Sequence, residues 1–436
     1  MNIRKILNSK QVKNAGWLIG GKIIQMIISL FVGVLTARYL GPSNYGLIGY
    51  AGAYTAFFMA FCTLGINSIL VKEFIDNPEQ EGTVLGSSLV LRALSSLASA
   101  FVIICIVSFV DAGETETILI VSLCSIGVVF HIFEVFNYWF QAHLRSKITA
   151  LATLIAYCVT AAYRVFLMAT GKSTLFFALA SSVDYICVAV ILLICYFKSG
   201  GKKLRFSWKL SKNILSKSHH FILSGLMVAI YGQTDRLMLK QMINEAEVGY
   251  YTTAVAVCGM WCFILSAIID SINPDIMKAY RIDDELFKRK NRQLYALIFY
   301  ISITVSLLFQ VFAPLIIKIL YGEPYLPSIP PLRIITWYTA FSYLGVARNA
   351  WIVCQNQQKY LKYIYASAAV INVIMNFIFI PTLGAEGAAI ASLISQILTS
   401  IVLPFFIKNL RPNAKLMLNA ILLRDVLPKK TDGSAQ

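Results

Sequence analysis

Twelve apolar runs of membrane-crossing length govern what this chain can become. They cover 15–38, 44–66, 85–110, 118–139, 148–170, 174–197, 221–242, 248–272, 294–320, 332–354, 361–380 and 387–407. A helix crosses the hydrocarbon core with about 20 mostly apolar residues. The expected fold class is therefore an all-α polytopic membrane protein with about 12 transmembrane helices. Composition agrees, at 58% hydrophobic and 14% charged, where soluble domains carry about 25% charged residues. No stretch poor in apolar residues is long enough for a separate soluble domain.

The connections sort by charge. Those after odd-numbered runs are short and carry Asp111, Glu114, Glu116, Glu245, Glu247 and Glu323, with Lys172 the lone cation. Those after even-numbered runs hold most of the basic residues, from Arg145 and Lys147 through Lys198–Lys217 to the tail with Lys429 and Lys430. The positive-inside rule then places both termini in the cytoplasm. The acidic segment 72–81 dissents, but acidic residues weigh little in that rule. The formal net charge of +17 is accounted for by these loops, so no nucleic-acid partner is implied. The first run is too long for a signal-peptide core and lacks a small-residue cleavage site, so an uncleaved first span is expected.

The basic stretch 198–217 divides the runs into two sets of six, giving expected lobes 1–208 and 209–436. Weak internal echoes support parallel repeats. Gly46 and Gly249 each follow a tight turn at the start of a run, and Gly171 matches Gly384. Repeats of this kind place substrate between the halves.

Five cations interrupt the apolar runs: Lys22, Arg92, Arg164, Arg236 and Arg348. Each costs roughly 2.5–3.5 kcal/mol at a helix centre on insertion scales. They suggest a cavity that receives an anion. Lys22 sits on a polar stripe with Asn14, Gly21, Gln25 and Ser29, spaced to share one helix face. A cavity role and snorkelling to the interface are both open for it. Arg164 has no acid at helical spacing, whereas Arg92 lies nearer the basic side and snorkels more easily. Asp235 shares a face with Ser224 and Tyr231; either a packing ion pair with Arg236 or Lys240, a partner on another helix, or a titrating acid fits it. Glu134 and Asp184 fit either counter-ions for these cations or proton or sodium sites. Asn372 and Asn376 are four apart and suit interhelical hydrogen bonding.

Several chemistries find no support. The nine cysteines all fall in apolar runs without a CxxC, and the four histidines, His219 and His220 included, have no metal-ligand spacing. No metal or cofactor is expected. Thr170-Gly171-Lys172-Ser173 echoes the end of a phosphate loop, but Phe166 stands where its first glycine belongs and no strand precedes it. No triad or carboxylate pair suggests catalysis, and the short outer connections leave little room for an enzyme site.

The stretch Ala37-Arg38-Tyr39-Leu40-Gly41-Pro42-Ser43-Asn44-Tyr45-Gly46, after Asn14, Trp17 and Lys22, resembles the N-terminal signature of bacterial polysaccharide-repeat flippases. Looser matches are Asp235 to Met238, Val248 to Tyr251, Tyr321 to Tyr325, Asn372 with Asn376, and Pro381 through Gly384 to Ala389. The resemblance spans essentially the whole chain. It implies the two-lobed fold of the multidrug and toxic compound extruders. It also implies transfer of undecaprenyl-diphosphate-linked oligosaccharides, such as O-antigen or capsule units, across the inner membrane by alternating access. Coupling to a proton or sodium gradient and a glycan polymerase partner belong to the same implied setting. Multidrug relatives often carry an acid on the first span; Lys22 there favours an anionic cargo. A drug or small-solute exporter of the same fold is the alternative.

Overall fold

A computed structural model describes residues 10–424, with side-chain detail from Gly20 onward except at Ser68, His220 and Ser224. Asn14 and Ser224, two of the predicted polar positions, therefore lie outside the described side chains. The described chain is helical and contains no strand. Eight helices are long and apolar enough to cross a membrane. Two of them contain a reversal at a glycine. In α1 (Lys10–Thr63) Gly41 has φ 73°, followed by Pro42. A second helical stretch, Leu361–Ile397, turns at Gly384 with φ 55°, three residues after Pro381. A positive φ is nearly free for glycine alone among the residues, so each turn joins two spans with almost no loop. The less apolar helices Trp208–Met242 and Ile329–Cys354 complete the expected twelve crossings. The chain is a multi-pass membrane protein.

The chain divides into two compact units, Met1–Gln233 and Thr234–Gln436. In the first unit α1 is followed by α2 (Asn67–Asp76), α3 (Glu81–Val110), α4 (Thr115–Phe130), α5 (Val135–Ala142), α6 (Ser146–Ala169), α7 (Thr174–Ala178) and α8 (Ala180–Lys198). Then α9 (Trp208–Met242) runs through the division. The remaining helices are α10 (Glu245–Ile282), α11 (Asp284–Leu320), α12 (Ile329–Cys354), α13 (Leu361–Ile397), α14 (Leu403–Phe406) and α15 (Arg411–Ile421). The division falls beyond the 208/209 junction expected from sequence because the start of α9 packs on the first unit. Ile214 is fully buried in that unit's core with Leu70, Phe74 and Phe136, and Lys217 Nζ lies 2.6 Å from Glu73 Oε1.

Three local departures from the sequence reading have physical causes. The acidic segment 72–81 is not a loop throughout: α2 forms because Ile66, Leu70 and Phe74, four apart, bury one face. The span at 118–139 is interrupted by a 3₁₀ turn at His131–Glu134. The tail is not uniformly polar in its contacts. In α15 Leu416, Met417 and Ala420 are buried in the second unit's core, and Asn413 Nδ2 donates to Tyr295 Oη at 2.7 Å. Elsewhere the helices turn apolar side chains outward, as Phe101 and Phe109 do, which suits a lipid surround.

Candidate functional site

In the first unit three helices line an open cleft of about 260 Å³. Its formation starts with a close approach: a Cβ on Gly21 of α1 would stand 3.4 Å from Ala150 Cβ of α6. That spacing lets Lys22 and Gln25 of α1 face Asn137 and Gln141 of α5 and Thr149 and Thr153 of α6. Asn137 and Gln141 share one helix face by being four apart. Thr149 donates to Ser146 O at 2.9 Å and Thr153 to Thr149 O at 2.8 Å, so each hydroxyl keeps lone pairs for a guest. Asn137 Oδ1 is buried without a hydrogen-bond partner. Lys22 is exposed and makes no ion pair among the described residues. No lining residue is acidic. The cleft thus offers one ammonium among amides and hydroxyls, a set that can hold a phosphate oxygen and neutral hydroxyls together.

Arg92 is elsewhere, and it does not snorkel. Its side chain is 1% exposed, with Nη2 3.2 Å from Glu134 Oε2 on the 3₁₀ turn. The ring nitrogen Nε2 of His131 lies 3.3 Å from the same oxygen. Burial here is compensated by a partner 42 positions away, beyond the reach of helical-spacing arguments. Arg164 is partly exposed on α6. Its charge acts on Asp184 of α8, with no ion-pair contact between them among the described residues.

The second unit contains a buried carboxylate. Asp235, near the end of α9, is 4% exposed and accepts from four neutral donors on two other helices. Asn376 and Asn372 of α13 donate to Oδ1 at 2.7 and 3.1 Å. Ser392, beyond the Gly384 turn, donates to Oδ2 at 2.7 Å, and Tyr251 of α10 donates to the same oxygen. Asn376 Oδ1 is buried without a hydrogen-bond partner. The sequence flagged Asp235, Asn372 and Asn376 separately but did not join them, and it missed Tyr251 and Ser392 as partners. Arg236 is the next residue, partly buried.

Arg348 of α12 is 3% exposed. Nη1 reaches the Ser400 carbonyl at 3.4 Å, within the π-helical turn Leu398–Val402. Its Nε has no hydrogen-bond partner, and no carboxylate lies within 4.0 Å of it among the described residues. The five cations therefore fall into distinct settings: a free ammonium in a cleft, a paired guanidinium, a partly exposed one near an acid, one flanking a buried acid, and one buried on a carbonyl. The cleft residues Asn137, Gln141, Thr149 and Thr153 were not singled out from sequence. The one available signal was their four-residue spacing on each helix.

The fold is shared with solved transporters. A lipid II flippase, MurJ, in an inward closed conformation aligns with a TM-score of 0.71 at 16% identity, over 96% of this chain and 93% of that one. An inward-facing multidrug resistance MATE family transporter of the MOP superfamily aligns with a TM-score of 0.67 at 16% identity, over 91% and 96%. Among sequence relatives, a Shigella flexneri protein named "Putative O-antigen transporter" is 21% identical, covering 90% of this chain and 96% of its own length. The capsular polysaccharide biosynthesis protein CapF of Staphylococcus aureus is 22% identical, covering 92% and 100%. The family described as polysaccharide biosynthesis protein matches residues 11–280. With well over half of the chain inside that match, this protein belongs to the polysaccharide biosynthesis protein family.

Proposed function

We propose that this chain is a flippase for a lipid-linked oligosaccharide, carrying undecaprenyl-diphosphate-linked repeat units from the cytoplasmic to the periplasmic leaflet of the bacterial inner membrane. The observation that carries the proposal is the acid-free cleft with Lys22 on its wall. An ammonium supplies charge to a diphosphate, while Gln25, Asn137 and Gln141 supply donors and acceptors for sugars. Membership of the family and the names borne by the relatives support the cargo class. Transport proceeds by alternating access of two six-helix lobes. Arg164, Arg236 and Arg348 are further candidate substrate cations, and Asn14 of α1 is a polar candidate. Arg92, paired with Glu134, is the fifth candidate cation.

Coupling to a proton or sodium gradient is assigned to Asp235, the buried carboxylate among neutral donors, with Asp184 and Glu134 as further acids. A neighbouring glycan polymerase would consume the delivered units. The alternative, export of organic cations by the same fold, is disfavoured by a cleft that contains a lysine and no carboxylate.

Reconstituted protein in liposomes tests the reading with a fluorescent lipid-diphosphate oligosaccharide. The native chain should expose the headgroup to a membrane-impermeant quencher, and Lys22→Gln should slow this at least tenfold. Headgroup movement that is absent, with gradient-driven loss of an organic cation from the same vesicles, would replace this proposal with the exporter.

A further inference from the structure

Between α8 and α9 the chain is not a slack linker. Gly201 to Ser207, outside any helix, run along the first two turns of α3. Arg205 N donates to Gly82 O at 3.1 Å, Ser207 N to Ser87 Oγ at 3.1 Å, and Tyr196 Oη to Lys202 O at 2.6 Å. A Cβ on Gly82 would collide with the Lys203 carbonyl, and one on Gly86 would stand 2.9 Å from the Arg205 carbonyl carbon. The missing side chains of α3 are thus the seat of a strap.

Seating the backbone this way leaves the side chains of 202–206 exposed. Leu204, Phe206 and Trp208 are 38%, 51% and 58% exposed. The Phe206 and Trp208 ring centroids are 6.2 Å apart, and Lys212 Nζ stands 5.7 Å over the Trp208 ring. Lys203, Arg205 and Lys209 are exposed between them and make no ion pair among the described residues. No acid occurs between Asp184 and Asp235 in the sequence, and Glu79, from the turn before α3, stands 4.0 Å from Lys202. Depth follows from length. The 30 residues of α3 span about 45 Å, against a hydrocarbon core of about 30 Å. A helix along the membrane normal with Val110 at the far boundary would put the turns that seat the strap among lipid headgroups.

We propose that this strap is a binding site for anionic phospholipids of the leaflet on the basic side of the protein. Leu204, Phe206 and Trp208 enter the acyl boundary, and Lys203, Arg205 and Lys209 hold phosphates. Aromatic rings favour that interface, and a lysine or arginine close to an anionic surface gains about fivefold in binding.

The full chain in phosphatidylcholine nanodiscs, with and without phosphatidylglycerol, tests this. Brominated phosphatidylglycerol should quench the Trp208 emission, isolated by difference against Trp208→Phe, more strongly than brominated phosphatidylcholine does. The triple variant Lys203→Gln, Arg205→Gln, Lys209→Gln should lose retained phosphatidylglycerol roughly a hundredfold, at about fivefold per cation. Lys203→Arg with Lys209→Arg should keep it, as should Lys288→Gln, Arg289→Gln, Lys290→Gln on the second unit. Equal quenching by both lipids overturns the proposal. So does undiminished phosphatidylglycerol on the first triple variant, or equal loss on the second. Unfolding is monitored separately by thermal melting of each variant.

Discussion

Removing the Asp235 carboxylate strands four donors at once, so its cost is set by Tyr251, Asn372, Asn376 and Ser392 as much as by the charge itself. Each buried donor left unsatisfied costs about 1–3 kcal/mol. Asp235→Ala should therefore lower the melting temperature by several degrees, and Asp235→Asn by less, because an amide oxygen still accepts. If Asp235→Ala melts like the native chain, the four contacts are not a cage. Arg92 makes the complementary case. Arg92→Met leaves Glu134, 30% exposed and still 3.3 Å from His131 Nε2, without its guanidinium, which should cost less than the ~3–5 kcal/mol of a fully buried pair broken from one side. Adding Glu134→Leu should recover much of that loss, as a double-mutant cycle read by denaturant unfolding would show. Neither arrangement is legible along the chain. Asp235 finds its donors 16, 137, 141 and 157 positions away, and helical periodicity informs only about neighbours three or four apart.

Elements were far more legible than contacts. Apolar run length locates a span because lipid imposes it on every residue of the helix, and the twelve runs map onto the observed helices. Short amphipathic pieces escape that criterion. Both α2 and α15 bury one face while presenting charges such as Lys72 and Lys415 on the other, so their composition resembles loop or tail. The Gly384 turn was partly legible, as a glycine echoing Gly171, yet its packing was not. Glu247 Oε2 accepts from Ala385 N at 2.6 Å, in the space where a Cβ on Gly384 would go. Gly384→Ala should thus combine a strained positive φ with a clash against that carboxylate. Expression and thermal melting should both fall more than for Gly33→Ala, where no atom lies within 4 Å and φ is not positive.

At the scale of the molecule, twelve crossings are an even number, so residues 10 and 424 emerge on one side of the membrane. The proposed topology makes that side the cytoplasm, on the strength of the basic connections. Reporter fusions at the two ends should give the same compartment signal, and opposite signals would remove one crossing from the count. The single-residue turns at Gly41 and Gly384 bear on how this protein can be handled. Insertion of an epitope or protease site there has no loop to lengthen, and any added residue must displace a span. The segment around Glu323–Ser328, a short helical turn between α11 and α12, is the better address for a label. A tag placed at its exposed residues Glu323 or Pro324 should be found by antibody on spheroplasts, and tags at the two glycine turns should lower expression.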